Sequence, residues 1–154
     1  AARNLDLCQA MVYGSCMIKK HVVEQDPTEQ GERALLNFGH TLGHAVEKLE
    51  NFTMHHGHCV GLGCIAAARI SQLRGMITAE EAEDIRNTFL SFGIPAAAPG
   101  LAWEQVLMTT RSDKKMDAGV IRFVLPKSIG QAYVDKTVTA DEMKAGFDVI
   151  GGQA

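Results

Sequence analysis

Five of the six histidines in this 154-residue chain fall between positions 40 and 58, too dense a group to read as scattered surface residues. His40 and His44 are four apart, the spacing that puts two side chains on one helical face. His56 follows within the run Met54-His55-His56-Gly57-His58. Neutral imidazole is a good ligand for zinc and related divalent metals, and catalytic zinc sites commonly use three protein ligands, leaving one position for water or substrate. His40 and His56 would supply two ligands, and no third stands at a telling spacing. Spacing alone favours a hydrogen-bonded helix-face pair for His40 and His44. The added cluster at 55–58 turns the reading towards a metal centre.

A second set of polar residues precedes the histidines: Lys19, Lys20, Glu29, Arg33 and Asn37. Arg33, Asn37, His40 and His44 follow spacings of four, three and four, which predicts one polar stripe down a single helical face. Arginine holds phosphate or carboxylate by paired hydrogen bonds, and lysine does so as a point charge. The lysines read equally well as a solvated helix end. Asp113-Lys114-Lys115 adds further cations, in a kind of triplet that is common in turns.

The elements that must position these groups are mostly helical. Leu5, Cys8, Met11, Val12, Ile18 and Val22 recur at helical spacing and predict a long amphipathic helix over about 4–24, ended by Asp26-Pro27. A polar loop containing Gly31 leads to a second helix expected from about 33 to 50. Gly39 and Gly43 each cost about 1 kcal/mol against alanine inside a helix. Their expected use is to let a neighbouring backbone or a ligand come close. Residues 59–73 set Gly61, Gly63, Ala66, Ala67 and Ala68 among large apolar residues, the composition of a tightly packed buried helix closed by Gly75. Thr78 with Glu81 is a capping box for a helix over about 79–91, stopped at Gly93 before Pro95. After a linker at 96–100, a short helix over 102–110 is expected to bury Trp103 and Met108. Alternating β-branched residues over 120–125 and 131–134 predict a hairpin, and Thr139 with Glu142 caps a last helix to about 150.

Hydrophobic residues at 46% and charged residues at 21% are ordinary for one soluble domain. A net charge of −3 offers no basic stripe for nucleic acid, and no apolar run approaches the roughly 20 residues a membrane helix needs. Cys8, Cys16, Cys59 and Cys64 match neither a CxxC knuckle nor a disulfide framework, so they are expected as reduced, mostly packed thiols. A cytoplasmic, small-molecule role is expected. The start at Ala1 without methionine leads us to expect that upstream residues are missing.

The run Arg33-Ala34-Leu35-Leu36-Asn37-Phe38-Gly39-His40-Thr41-Leu42-Gly43-His44-Ala45-Val46-Glu47 closely resembles the signature of the 3-dehydroquinate synthase family. The likeness extends upstream to Lys19, Val22, Val23, Asp26 and Glu29, and downstream to His56-Gly57, Asp113-Lys114-Lys115 and the segment 121–130. The resemblance implies a mainly α fold, the multi-helix C-terminal domain of dehydroquinate synthase-like enzymes with one small β-hairpin. Residues 1–154 would form a single helical metal- and substrate-binding domain. It also implies conversion of the sugar phosphate 3-deoxy-arabino-heptulosonate 7-phosphate to 3-dehydroquinate in the shikimate pathway, with NAD and zinc or another divalent metal such as cobalt. On that basis His40 and His56 resemble metal ligands and His44 the acid/base histidine. Lys19, Arg33 and Asn37 resemble groups that grip the substrate's phosphate, carboxylate or hydroxyls, Glu29 one near the ring hydroxyls, and Lys114 or Lys115 a further anion contact.

Two departures qualify the likeness. His58 stands where the family most often has glutamate, which would remove a negative partner from beside the metal ligands. The family's third ligand, a glutamate, and its N-terminal NAD-binding domain lie upstream of the matched region, and no glycine-rich strand-turn-helix occurs here. The chain alone is therefore expected to lack activity and to bind zinc weakly, with a homodimer expected for the full-length protein. Competing readings are another sugar phosphate cyclase of the 2-deoxy-scyllo-inosose or valiolone type, an alcohol dehydrogenase of the glycerol dehydrogenase type, and a non-catalytic helical metal-binding module.

Overall fold

The structure, a computed structural model, describes residues 4–112 and 120–151. The chain divides into two compact units, 1–36 and 37–154. In the first, α1 (Leu5–Gln25) begins at Asn4, whose side chain accepts hydrogen bonds from the N–H groups of Asp6 and Leu7. It ends where Asp26-Pro27 forbids continuation, as expected. The Asp26 carboxylate then gathers the loop, accepting from the N–H groups of Gln30, Gly31 and Arg33 at 3.0, 2.7 and 3.1 Å. These bonds, that from Gln30 foremost, hold its pKa below the ordinary value. No residue of α1 is buried, and Leu5 and Ile18 are 80% and 65% exposed.

The second unit contains α2 (His40–Leu49), α3 (His56–Leu73), α4 (Ala79–Ser91), α5 (Trp103–Ser112), the antiparallel pair β1 (Phe123–Ser128) and β2 (Gln131–Asp135), and α6 (Ala140–Asp148). One expected helix is not continuous. Instead of a single helix over 33–50, a 3-10 helix occupies Glu32–Asn37 and α2 starts afresh at His40. Between them Gly39 adopts φ +78°, a left-handed conformation open to glycine at little cost. A β-carbon there would also stand 2.5 Å from both the Cys64 Sγ and the Val60 carbonyl oxygen. The expected stripe of Arg33, Asn37, His40 and His44 down one helical face is therefore corrected, because the first two residues lie before the break.

The core centres on α3, whose Leu62 and Ile70 share one buried cluster with Leu42 and Val46 of α2, Val106 of α5, Leu125 of β1 and Ile150 after α6. Each such side chain contributes about 1.5–3 kcal/mol on burial. Small residues make the α2–α3 seam very tight: a β-carbon on Gly63 would overlap the Gly39 carbonyl oxygen, and one on Gly43 would lie 2.8 Å from the Cys59 carbonyl oxygen. The close backbone approach expected for Gly39 and Gly43 is thus observed. Both capping boxes are present, starting α4 at Thr78 and α6 at Thr139. Arg74, after α3, clamps the hairpin and α6 together, its Nε 2.7 Å from Glu142 Oε1 and its Nη1 2.9 Å from Asp135 Oδ2.

Two smaller expectations are corrected. Met108 is 68% exposed, because α5 turns Val106 and Thr110 inwards, while Trp103 does pack against the core and stacks near Phe147. Cys8 and Cys16 are exposed on α1, and only Cys59 and Cys64 are packed thiols. Among the described residues no helix is long and apolar enough to cross a membrane.

Candidate metal centre

His40 is the first residue of α2, His44 lies one turn further along it, and His56 is the first residue of α3. Their rings meet, with centroids 5.1 Å (40–44), 5.5 Å (40–56) and 5.7 Å (44–56) apart. One nitrogen from each lies within 4.8 Å of the others. Among the described residues no other three histidine, cysteine, aspartate or glutamate side chains converge in this way. The glycine seam explains the convergence, since α2 can bring its first turns against α3 only where no side chain intervenes. Thr41 adds a tether from α2, its Oγ1 donating to the Arg122 carbonyl oxygen at 2.7 Å just before β1.

The hydrogen bonds of two rings fix which nitrogen can bind a metal. His40 Nδ1 lies 3.0 Å from the Phe38 carbonyl oxygen, and His56 Nδ1 lies 3.1 Å from each Glu47 carboxylate oxygen. A carbonyl or ionised carboxylate oxygen only accepts, so in a neutral ring each Nδ1 carries the proton and each Nε2 keeps its lone pair. That is the arrangement metal-binding histidines use. Ring nitrogens around a tetrahedral zinc lie ~3.3 Å apart, so modest ring rotations would close the set about an ion. The donor chemistry fits zinc or cobalt. His40 and His44 are half-buried while the His56 side chain is 55% exposed, which leaves the centre open on one side. The arrangement suits His44 either as a further ligand or as a group that accepts a proton beside the metal.

The other site candidates lie as follows. Lys19 is exposed on α1, Glu29 is exposed in the loop after it at φ +58°, and Arg33 is half-buried with its Nη1 donating to the Pro27 carbonyl oxygen at 2.7 Å. All three belong to the first unit. Asn37, exposed at the end of the 3-10 helix, belongs with the histidines to the second. Lys114 and Lys115 lie outside the described residues.

Glu47 was within the recognised run but had no assigned role. Its signal was its register: seven residues after His40 and three after His44, it shares their helical face. The negative partner thought lost at His58 is supplied to His56 from this neighbouring helix, while His58 packs its ring 5.3 Å from that of His55. The only sheet among the described residues is the two-stranded hairpin, so these residues contain no βαβ unit of the kind that binds NAD.

Comparison with known proteins agrees with this architecture. The family model for the 3-dehydroquinate synthase C-terminal region matches residues 1–116. The chain is 44% identical over 135 residues to 3-dehydroquinate synthase of Xanthomonas campestris pv. campestris, covering 83% of this chain and 36% of the relative. It is 42% identical over 139 residues to that of Nitrosospira multiformis, covering 90% of this chain and 38% of the relative. The chain thus spans well under half the length of the curated relatives it matches. In fold it resembles a 2-deoxy-scyllo-inosose synthase complexed with carbaglucose-6-phosphate, NAD+ and Co2+, with a TM-score of 0.80 at 17% identity over 97% of this chain and 43% of that one. It also resembles the 2-epi-5-epi-valiolone synthase of Streptomyces hygroscopicus subsp. jinggangensis, with NAD+ and Zn2+ bound, with a TM-score of 0.73 at 22% identity over 82% of this chain and 35% of that one. With three imidazoles gathered at the ends of two helices and three quarters of its length matched by the family model, this chain belongs to the 3-dehydroquinate synthase family, as its C-terminal region.

Proposed function

We propose that this chain is the metal- and substrate-binding part of a cytoplasmic 3-dehydroquinate synthase, which converts 3-deoxy-arabino-heptulosonate 7-phosphate to 3-dehydroquinate and phosphate in the shikimate pathway. The observation that carries this reading is the convergence of His40, His44 and His56, with the Nδ1 of His40 and of His56 each set against an oxygen that only accepts. His40 and His56 would hold zinc or cobalt, which when bound makes a substrate hydroxyl more acidic. His44 accepts that hydroxyl proton, a role suited to imidazole near neutral pH. Lys19, Arg33 and Asn37 hold the phosphate and carboxylate, Glu29 the ring hydroxyls, and Lys114 or Lys115 a further anionic group. Cations already placed on the phosphate also stabilise the charge it gathers as it leaves. NAD would be held by a domain not contained in these residues, with a homodimer as the working assembly.

Identity supports this substrate: the 3-dehydroquinate synthases share 38–44% of aligned residues with the chain. The test is turnover by the full-length protein with NAD, zinc and each candidate sugar phosphate, the carbocycle being identified by NMR. We expect 3-dehydroquinate, a fall of about 100-fold or more in kcat for His44→Ala, and no turnover by residues 1–154 alone. An inosose or valiolone product, net NADH production, or full activity in both His40→Ala and His56→Ala would overturn the reading.

A further inference from the structure

We infer that Glu47 is a positioning residue of the metal centre, which selects the nitrogen that His56 offers to the metal. The inference rests on the metal-binding reading above and names a residue to which that reading gave no part. Glu47 lies in the last turns of α2, on the face that carries His40 and His44, and reaches across to the first residue of α3. Both of its carboxylate oxygens lie 3.1 Å from His56 Nδ1. The Glu47 side chain is 17% exposed against 55% for His56, so the inner partner is the carboxylate.

His56 needs such a partner more than His40 does. The His40 ring is held by the carbonyl of Phe38, two residues away in its own chain segment, and is half-buried. His56 is more than half exposed, at the open edge of α3, where its ring would otherwise rotate and exchange its proton between nitrogens. Glu47 acts at the far side of that ring. It is not part of the convergent set itself, which consists of the three histidines alone. A carboxylate on Nδ1 fixes the ring plane, keeps the lone pair on Nε2 and makes that lone pair a stronger donor.

The experiment uses the 154-residue chain, with zinc affinity measured by chelator competition and the His56 tautomer read by long-range proton–nitrogen NMR without metal. In the unmodified chain neutral His56 is expected as the Nδ1–H form. Glu47→Ala should remove that bias and weaken zinc binding by about 10–100-fold, with the helical circular dichroism unchanged. Glu47→Gln, which keeps an acceptor oxygen but no charge, should retain the tautomer and lose less affinity. An unchanged tautomer and unchanged zinc affinity in Glu47→Ala would overturn the inference. Should that variant unfold, zinc affinity in Glu47→Gln equal to that of the unmodified chain would do so. Failure of the unmodified chain to bind zinc at all would overturn the metal centre itself, and Glu47's part with it.

Discussion

Substituting Gly63 by alanine tests whether the glycine seam positions the histidines. In an open helix this change stabilises by about 1 kcal/mol. In α3, however, the new methyl would overlap the Gly39 carbonyl oxygen and lie 2.9 Å from the Gly43 nitrogen. Both obstacles are main chain, so no side-chain rotation relieves them, and α2 must move away from α3. Overpacking a close-packed interior costs about 1–3 kcal/mol, and rigid obstacles place this case at ~3. Net of the helix gain, a loss of ~2 kcal/mol is expected, which for a chain of this size lowers Tm by about 4–8 °C. The same displacement moves His40 and His44 relative to His56, so zinc affinity should fall by about 10-fold or more, as it does when the support of a ligand shifts. Gly14→Ala is the control, because a β-carbon there meets nothing within 4 Å and only the helix gain applies. Thermal melts followed by circular dichroism and chelator competition give both readouts. A Gly63→Ala chain as stable as the parent, with unaltered zinc affinity, would refute the reasoning.

Arg74→Ala should destabilise the second unit by about 3 kcal/mol or more, since it strands two partly buried carboxylates, and urea unfolding would measure it. The same clamp makes stability depend on acid. Arg74 above all holds the Glu142 pKa down, from 4.5 to about 2. Its contribution is therefore complete above about pH 5 and is lost as pH falls towards 2, by about 1–2 kcal/mol after allowing for its partial exposure. Parent and Arg74→Ala melts should converge over that window, and parallel curves would count against it. Alkylation at pH 8 should label Cys8 and Cys16 but spare Cys59 and Cys64. The last two are buried, and burial pushes the Cys64 thiol up to about 12; peptide mass mapping would show which thiols reacted.

What could be read from the sequence followed the range of the signal. The helices α4 and α6 were found because a threonine with a glutamate three residues later satisfies its helix end locally, whatever lies around it. The hairpin was likewise visible in its alternating β-branched residues, although β1 starts only at Phe123. The break at Gly39 was not visible, because it depends on Cys64 and Val60, more than twenty residues away. Helical spacing carried straight through it and merged two elements into one polar stripe. The metal candidates His40 and His56 were singled out by residue type and density, and their convergence followed from the glycines flagged for close approach. Glu47 was overlooked because acidic residues near a helix end are ordinary there, and only the position of His56 gives this one a task.

The bare surface of α1 has a consequence for how the chain should melt. Within its own unit this helix of 21 residues buries no side chain fully, so its hydrogen bonds and the Asn4 cap carry much of its stability, and in water such a segment is only marginally persistent. Its amides should exchange with solvent long before those of α3, so loss of helical signal on heating would be expected in two stages rather than one cooperative step.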